Sequence, residues 1–172
     1  MEYIVKTEKD NEAFSEIIMG WGYDFFVSRG KVHKAQDLDG ILAYDNKKII
    51  GLGLYYIKNN ECEIVIMETF DQNKGIGTKI IDKIINIAKQ NKCNRIWLIT
   101  TNDNINAIKF YQKRGFCIVN IHINAIEESR KIIEHNTSKQ SLLNITELTP
   151  NIPLIGEYGI PIRDEIEFEI RF

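Results

Sequence analysis

Two glycines before a predicted helix are the residues of this sequence best suited to hold a ligand. Gly75 and Gly77 stand in the stretch QNKGIGTK, between a predicted strand and a predicted helix. The first turn of a helix presents unpaired backbone N–H groups, and glycine lets a ligand approach them closely. The stretch therefore predicts either a phosphate or pyrophosphate site or a tight strand-to-helix turn without a ligand.

The spacing of this loop disagrees with two common nucleotide sites. A P-loop requires lysine directly after its last glycine, whereas here Thr78 comes before Lys79. A dinucleotide fingerprint requires a third glycine at position 80, which is Ile80. A nucleotide-phosphate binder, with affinity for ATP or NAD, is therefore only the third alternative for this loop.

Three glutamates precede the loop on one predicted strand and are candidates for proton transfer. They are Glu61, Glu63 and Glu68. Strict alternation along the strand predicts that Glu61, Glu63, Val65 and Met67 share one face. A carboxylate with apolar neighbours has a raised pKa and suits a general base. The alternative for each is a solvated carboxylate on a strand.

Composition restricts the class of protein. The chain has 172 residues, 44% of them hydrophobic and 27% charged, with 22 basic and 24 acidic residues. This is ordinary globular composition without the basic excess of a nucleic-acid binder. No apolar run approaches the ~20 residues of a membrane span, and no signal peptide is apparent. Three cysteines without a Cys-x-x-Cys pair predict a reducing, cytoplasmic location and no metal.

The order of elements predicts an α/β (α+β) fold with one mixed sheet and helices on its faces. Predicted strands cover residues 2–6, 41–44, 49–57, 61–68, 95–100, 116–124 and 166–172. Predicted helices cover residues 11–18, 75–91, 103–113 and 125–134, with a less regular helical region over 23–34. All three prolines lie late in the chain, which predicts a core over 1–126, an arm over 127–163 and a final strand over 164–172 that completes the same domain.

A second pattern one strand after the loop matches a known family. Asn106-Ala107 is followed by Phe110-Tyr111 and then by Gly115-Phe116. With residues 72–77, this resembles the GNAT superfamily of acyl-CoA-dependent N-acyltransferases, which carries Arg/Gln-x-x-Gly-x-Gly/Ala and then Asn-Ala-x-x-Phe-Tyr-x-x-x-Gly-Phe. The resemblance covers roughly residues 2–124 and the last strand. It implies a mostly antiparallel sheet of six to seven strands, splayed between the fourth (61–68) and fifth (95–100).

The resemblance also implies a co-substrate, acetyl-CoA, and the residues that would bind it. The loop would bind the pyrophosphate of coenzyme A, and the strand before the loop would hold the pantetheine arm, as an added strand is held. The implied cofactor-binding residues are Val65, Met67, Thr69, Gln72, Asn73, Lys74, Gly75, Ile76, Gly77, Thr78 and Asn106. The alternative for Asn106 is a residue of the helix surface or a helix cap.

Catalytic roles follow from the same resemblance. Tyr111 would be the general acid that protonates the leaving thiolate, and its alternative is a tyrosine of the core. Glu63 or Glu68 would be the general base, unless water relays the proton. We expect direct attack of a primary amine on the thioester. The alternative to an enzyme is a non-catalytic module that binds coenzyme A or acyl-CoA as a sensor or scaffold.

The acceptor side is less defined by sequence. Trp21 and Asp24, with Glu61, are candidates to bind an amine, whereas Phe25 and Phe26 are expected in the core. His33 is expected on a helix surface. Polyamines, aminoglycosides, amino acids, peptide N-termini and protein lysines all remain open as acceptors, with a slight preference for a small amine. The arm either covers the acceptor site or contacts a second subunit, so a monomer and a homodimer both stay open.

Overall fold

A seven-stranded sheet runs through the protein, which a computed structural model describes over residues 1–21, 24–71, 74–141 and 152–172. The elements are β1 (Glu2–Val5), α1 (Asn11–Trp21), β2 (Phe25–Ser28), β3 (Lys31–Lys34), β4 (Asp39–Asp45), β5 (Lys48–Lys58), β6 (Glu61–Thr69), α2 (Ile76–Gln90), β7 (Arg95–Thr101), α3 (Ile105–Gln112), β8 (Cys117–His122), α4 (Ala125–Ser141) and β9 (Glu165–Arg171). The strand order is β1-β4-β5-β6-β7-β9-β8. Only β6 and β7 pair in parallel, so the predicted mixed, mostly antiparallel sheet is confirmed.

Helix α2 covers one face of this sheet because its apolar side chains recur at helical spacing. Ile76, Ile80, Ile84 and Ala88 are fully buried against the sheet. Gly53 on β5 makes the close approach possible, because a Cβ there would stand 2.6 Å from Cγ2 of Ile80. We call this side, which α3 also covers, the α2 face. The opposite side, covered by α1, β2, β3 and α4, is the hairpin face.

The segment after α1 forms a β-hairpin, so the predicted helical region over 23–34 is wrong. Strands β2 and β3 pair antiparallel, with Ser28 opposite Lys31. The two residues between them, Arg29 and Gly30, have φ values of 48° and 71°. Positive φ at both positions is the requirement of the tight turn that fits the twist of paired strands. Phe26 on β2 is buried between the hairpin and the sheet, as predicted for a core residue.

A bulge in β6 changes which side chains reach each face. Tyr55 on β5 pairs with Ile64, but Leu54 pairs with Ile66, so Val65 is an extra residue on β6. An extra residue reverses the alternation that follows it. The predicted shared face of Glu61, Glu63, Val65 and Met67 is therefore wrong at its end. Met67 packs into the core of the α2 face, whereas Val65 packs into the core of the hairpin face.

The arm after β8 is held together by one arginine, and Asp164 after it accepts a hydrogen bond from Asn124 N at 2.8 Å. Helix α4 is longer than the predicted 125–134. The guanidinium group of Arg130 donates hydrogen bonds to the carbonyl oxygens of Ile152, Pro153 and Ile162. These bonds connect the helix to residues 152–163, which lead into β9, between β7 and β8 in the sheet.

Candidate active site

A cleft of about 550 Å³ opens on the α2 face where β6 ends and α2 begins. Helix α3 forms its second wall. Among the predicted site residues, the lining includes Met67, Thr69, Gly75, Ile76, Gly77, Thr78, Asn106 and Tyr111. Val65 and Lys74 are not part of it. Gln72 and Asn73 lie outside the described residues.

The start of α2 supplies free backbone donors to this cleft. Gly75 precedes the helix with φ of 70°, a conformation that favours glycine. The first backbone hydrogen bond of the helix runs from Lys79 N to Gly75 O at 3.2 Å. The N–H groups of Ile76, Gly77 and Thr78 therefore have no partner one turn earlier in the helix. Such a helix start attracts an anionic group such as a phosphate.

Tyr111 lies between the cleft and the core. Its ring packs at centroid distances of 5.4 to 6.0 Å from the rings of Phe110, Phe116 and Phe168, and 7% of the residue is exposed. Burial raises the pKa of Tyr111 above its ordinary value. The phenol therefore keeps its proton at neutral pH, as a general acid must. Tyr111 is thus a buried residue of the core and also part of the cleft lining.

Asn106 is exposed on the first turn of α3. The helix is capped by Asn104 instead, whose Oδ1 accepts from Ala107 N at 3.0 Å. The Nδ2 of Asn106 donates to Oε2 of Glu157 in the arm at 3.4 Å. The arm thus reaches the rim of the cleft on the α2 face.

Strands β6 and β7 part beside the cleft. Their parallel pairing runs from Glu61 and Arg95 to Ile64 and Leu98 and then stops. Beyond that point β6 continues with β5 on its other side, and β7 continues with β9. The facing edges of residues 65–69 and 99–101 are consequently not paired with each other. Such a gap can take an extended ligand as an added strand.

A second pocket, of about 350 Å³, lies on the hairpin face and contains Glu63. Glu63 is opposite Trp97 in the β6–β7 pairing, one residue before the strands part. Only 5% of Glu63 is exposed. Its Oε2 lies 3.4 Å from Nε2 of His33, and its Oε1 has no hydrogen-bond partner among the described residues. A buried carboxylate oxygen without a donor is suited to bind a cationic or N–H-bearing ligand.

Three neighbouring carboxylates on this face are bound by one arginine. Arg95 bonds Glu61 at 2.9 Å, Glu167 at 3.1 Å and Glu169 at 2.9 Å. The pKa of Glu169 is lowered by its bonds to Arg95 and Arg171, although burial acts in the opposite direction. The predicted amine-binding residue Glu61 therefore has its charge engaged within the protein. Glu63 has no arginine partner among the described residues.

The remaining predicted residues lie away from this pocket. Glu68 is half-buried on the hairpin face beyond the bulge, where burial raises its pKa, and it does not line the pocket. Asp24 is exposed before β2, and its carbonyl oxygen accepts from Ala35 N at 2.7 Å. The side chain of Trp21 lies outside the described residues. His33 is not on a helix surface: it is 5% exposed on β3.

Similarity to known proteins agrees with this geometry. A profile of the acetyltransferase (GNAT) family matches residues 7–116. The chain belongs to this family. It is 39% identical over 149 residues to the uncharacterized protein YdhI of Bacillus subtilis, covering 86% of this chain and 83% of that protein.

Two solved structures share the fold of this GNAT chain. One is a Bacillus subtilis acetyltransferase in complex with coenzyme A, with a TM-score of 0.65, 18% identity and coverage of 99% of this chain and 98% of that chain. The other is a GNAT family acetyltransferase from Elizabethkingia anophelis with acetyl-CoA bound. Its TM-score is 0.63 and its identity 21%, over 99% of this chain and 98% of that chain.

Several site residues of this GNAT domain were missed by sequence reasoning. On the hairpin face these are Lys31 and Trp97, which line the pocket, and His33, which lies beside Glu63; in the cleft it is Arg114. Arg114 donates a short hydrogen bond to Oγ1 of Thr78 and stacks 4.8 Å from the Phe110 ring centroid. The turn-forming pair Arg29-Gly30 was the available signal for the hairpin. Arg114 directly precedes Gly115 of the second motif, which was the signal for the cleft.

Neither a metal centre nor a membrane helix is found in the described part of this GNAT chain. No group of three or more His, Cys, Asp and Glu side chains there is arranged to hold a metal ion. None of the described helices is long and apolar enough to cross a membrane.

Proposed function

We propose that this GNAT protein is an N-acetyltransferase that moves an acetyl group from acetyl-CoA to a primary amine by direct attack in a ternary complex. One observation carries this proposal. The cleft on the α2 face and the pocket on the hairpin face adjoin the point where β6 and β7 part. A thioester held in the gap would therefore meet an amine bound on the other side of the sheet.

The donor side fits coenzyme A. The unpaired N–H groups at the start of α2 suit its pyrophosphate, and the free edge of β6 suits its pantetheine arm. Coenzyme A in one structural neighbour and acetyl-CoA in another support this choice of co-substrate. The proposed contacts are Met67, Thr69, Gly75, Ile76, Gly77, Thr78 and Asn106, with Gln72, Asn73, Lys74 and Val65 as further candidates of the same segment.

The chemistry divides between two residues on opposite faces. The amine nitrogen attacks the thioester carbonyl carbon, the carbon–sulfur bond breaks, and the acetyl group becomes an amide. Glu63 accepts the proton that the nitrogen loses, directly or through water. Tyr111 donates a proton to the departing sulfur. Positioning of the two substrates supplies a large part of the rate.

Glu63 is the preferred base over Glu68. Glu63 lies one residue from the parting of the strands and lines the acceptor pocket, with an unpaired oxygen. Glu68 has a pKa raised by burial but lies beyond the bulge and outside that pocket. Geometry decides before pKa, because a base must reach the proton it removes.

Thermal unfolding with ligands tests the proposal first. Acetyl-CoA and coenzyme A should each raise Tm, with about 2.7 kcal/mol of stabilisation at a hundredfold excess over Kd, whereas ATP and NAD should not. Release of free thiol in the presence of amines then tests turnover, and Tyr111→Phe should slow it. A shift with ATP or NAD alone would contradict the acyltransferase function.

A non-catalytic sensor or scaffold of coenzyme A is distinguished by the same measurements. It predicts the Tm shift with acetyl-CoA but no thiol release with any amine, and no change in ligand affinity for Tyr111→Phe. We favour the enzyme because Glu63, a buried carboxylate with a free oxygen, lies beside the gap. A mere binding module has no need of such a group.

We also infer that the chain forms one domain and that the protein is cytoplasmic. Residues 1–126, the arm over 127–163 and the strand over 164–172 form one unit, since Arg130 ties α4 to the segment before β9. The three cysteines are unpaired, which supports a cytoplasmic location.

A further inference from the structure

We infer that the pocket on the hairpin face selects an amine that also carries a carboxylate, so that the acceptor is a free amino acid. This inference rests on the proposed function and names the substrate class of its acceptor site. It narrows a field in which polyamines, aminoglycosides, peptide amines and protein lysines are otherwise equivalent.

Five charged side chains line the pocket, namely Arg29, Lys31, Lys58, Glu61 and Glu63. Arg29 and Glu61 are paired within the protein, with Glu167 and Arg95 respectively, and the other three fall into two groups. Near the gap lies Glu63, whose Oε1 is buried and unpaired among the described residues. At the rim lie Lys31 and Lys58, both exposed and lining the same pocket. Neither lysine has a carboxylate partner within the described ranges. The pocket therefore offers, at its floor, a carboxylate that lies beside His33 and keeps one unpaired oxygen, and, at its mouth, two ammonium groups without a carboxylate partner in the described ranges.

The strand register gives the separation of the two groups. Tyr56 pairs with Glu63, and Lys58 pairs with Glu61. A strand rises about 3.4 Å per residue, so Lys58 starts about 7 Å along the strand from the Glu63 pair. Because lysine side chains are flexible, the ammonium group can lie closer to the Glu63 carboxylate than this distance or farther from it. A molecule with its amine and its anion a few bonds apart can contact both groups.

The same charges disfavour the other acceptor classes. A polyamine or aminoglycoside would bring several positive charges to a mouth already lined by Lys31 and Lys58, and like charges repel. The volume of about 350 Å³ is near the lower end of small-molecule sites, roughly 300–1,000 Å³. The rim consists of strands and a turn, without the helix start that commonly binds phosphate. These features favour a small carboxylate over a phosphate.

Aromatic walls complete the site. Trp97 lies between the strands and the hairpin, with the guanidinium carbon of Arg29 at 5.5 Å from its ring centroid. The Nζ of Lys31 lies 3.9 Å from the ring centroid of Tyr56. This cation–π contact holds the ammonium group at the mouth. The faces of the Trp97 and Tyr56 rings therefore carry cations, which adds positive charge to the walls of the pocket.

Matched ligands test the inference without depending on turnover. For phenylalanine, tyrosine and lysine, the free L-amino acid is compared with its amide and with its decarboxylated amine by titration calorimetry, with and without coenzyme A. At least one amino acid should bind about tenfold to hundredfold more tightly than both derivatives, as expected for a charge-assisted contact. Equal binding of the derivatives, or no binding of any amino acid in either condition, would overturn the inference.

Variants of the two rim lysines test whether these side chains cause the preference for a carboxylate. The double variant Lys31→Met with Lys58→Met should remove the preference for the amino acid over its amide while the binding of acetyl-CoA stays unchanged. Lys83→Met, on the exposed side of α2, is the matched control and should keep the preference. A preference that survives the double variant would overturn the assignment. Failure of the proposed function shows itself separately, as the absence of any Tm shift with acetyl-CoA.

Discussion

At the scale of single residues, the carboxylates of the hairpin face differ in what their charges meet. Glu61, Glu167 and Glu169 each bond Arg95, so their charges are used within the protein. Glu63 is buried beside His33 and keeps one oxygen without a partner in the described chain. A buried carboxylate oxygen without a hydrogen-bond donor is costly for stability and is therefore expected where function requires it.

Replacing this carboxylate should separate catalysis from binding. We expect Glu63→Gln to lower kcat/KM by about 10²- to 10⁴-fold, because the amide cannot accept the proton. The affinity for acetyl-CoA, measured by calorimetry, should not change. Glu68→Gln should lower kcat/KM by less than about tenfold. A larger loss of kcat/KM in Glu68→Gln than in Glu63→Gln would contradict Glu63 as the base and favour Glu68, which lies beyond the bulge.

The cysteines should differ sharply in reactivity. Cys62 and Cys93 are buried, whereas Cys117 is exposed. Burial raises the pKa of the Cys62 thiol to about 12, which leaves little reactive thiolate at neutral pH. A thiol-reactive aromatic disulfide should therefore label Cys117 quickly, and label Cys62 and Cys93 only after denaturation. Fast labelling that persists in Cys117→Ser would contradict this, and the same variant lowers the background of the thiol-release assay.

At the scale of elements, two connections bring distant segments to the site. The β2–β3 hairpin brings Lys31 to the pocket on the hairpin face and His33 to Glu63. The arm carries Glu157 to Asn106 at the rim of the cleft, and Glu157 N donates to Oδ2 of Asp103 at 3.1 Å. Both faces of the sheet are thus completed by segments outside the two sequence motifs.

The contact of the arm with α3 depends on one glycine. A Cβ at Gly156 would overlap the Asp103 carboxylate, which is buried. We expect Gly156→Ala to destabilise the protein by about 1–3 kcal/mol, the usual cost of overpacking. For a chain of this length, each kcal/mol lowers Tm by about 2–4 °C.

A second glycine provides the control for this variant. Gly20 has no atom within 4 Å of a Cβ position and lies inside α1. Gly20→Ala should keep or raise Tm, because alanine favours a helix more than glycine does. Equal losses of Tm in the two variants would show that the arm contact is not the cause.

At the scale of the whole molecule, the covering of the sheet on both faces buries the charged side chains of β9. Glu165, Glu167 and Glu169 alternate with apolar residues, and all three are buried on the hairpin face. Arg95 from β7 reaches the last two. Glu165 accepts from Ser129 Oγ at 3.2 Å, and its other oxygen is unpaired in the described chain. Burial consequently raises the pKa of Glu165.

The raised pKa of Glu165 determines the direction in which this residue changes stability with pH. Because the folded pKa of Glu165 is above the unfolded value, the folded state binds more protons between the two values. Stability from this residue is therefore lost as pH rises through the folded pKa. Glu165→Gln should raise Tm relative to the parent protein near pH 8, and by less near about pH 4.

Thermal unfolding at several pH values measures this difference. The exposed Glu16→Gln serves as the matched control, and its Tm difference from the parent should stay nearly constant with pH. A Tm difference for Glu165→Gln that grows towards low pH would contradict the prediction.

Much of the fold could be predicted from the sequence because regular helices and strands leave clear patterns of apolar and polar residues. The isoleucines of α2 recur at helical spacing, and the meander of β4, β5 and β6 has short polar turns. The hairpin was mistaken for a helix because aromatic and polar residues over 23–34 fit neither period clearly. Only the pair Arg29-Gly30 marks its turn.

The sequence by itself determined the family, the glycine loop and the second motif, because these depend on residues close together in the chain. The tertiary structure alone decided which side chains line the pocket on the hairpin face. The bulge at Val65 puts Met67 on the α2 face and Glu68 on the hairpin face, the reverse of what strict alternation from Glu61 and Glu63 predicts. His33, Glu63, Trp97 and the rim lysines come from separate strands, and they meet only because the sheet pairs those strands and the hairpin packs over them.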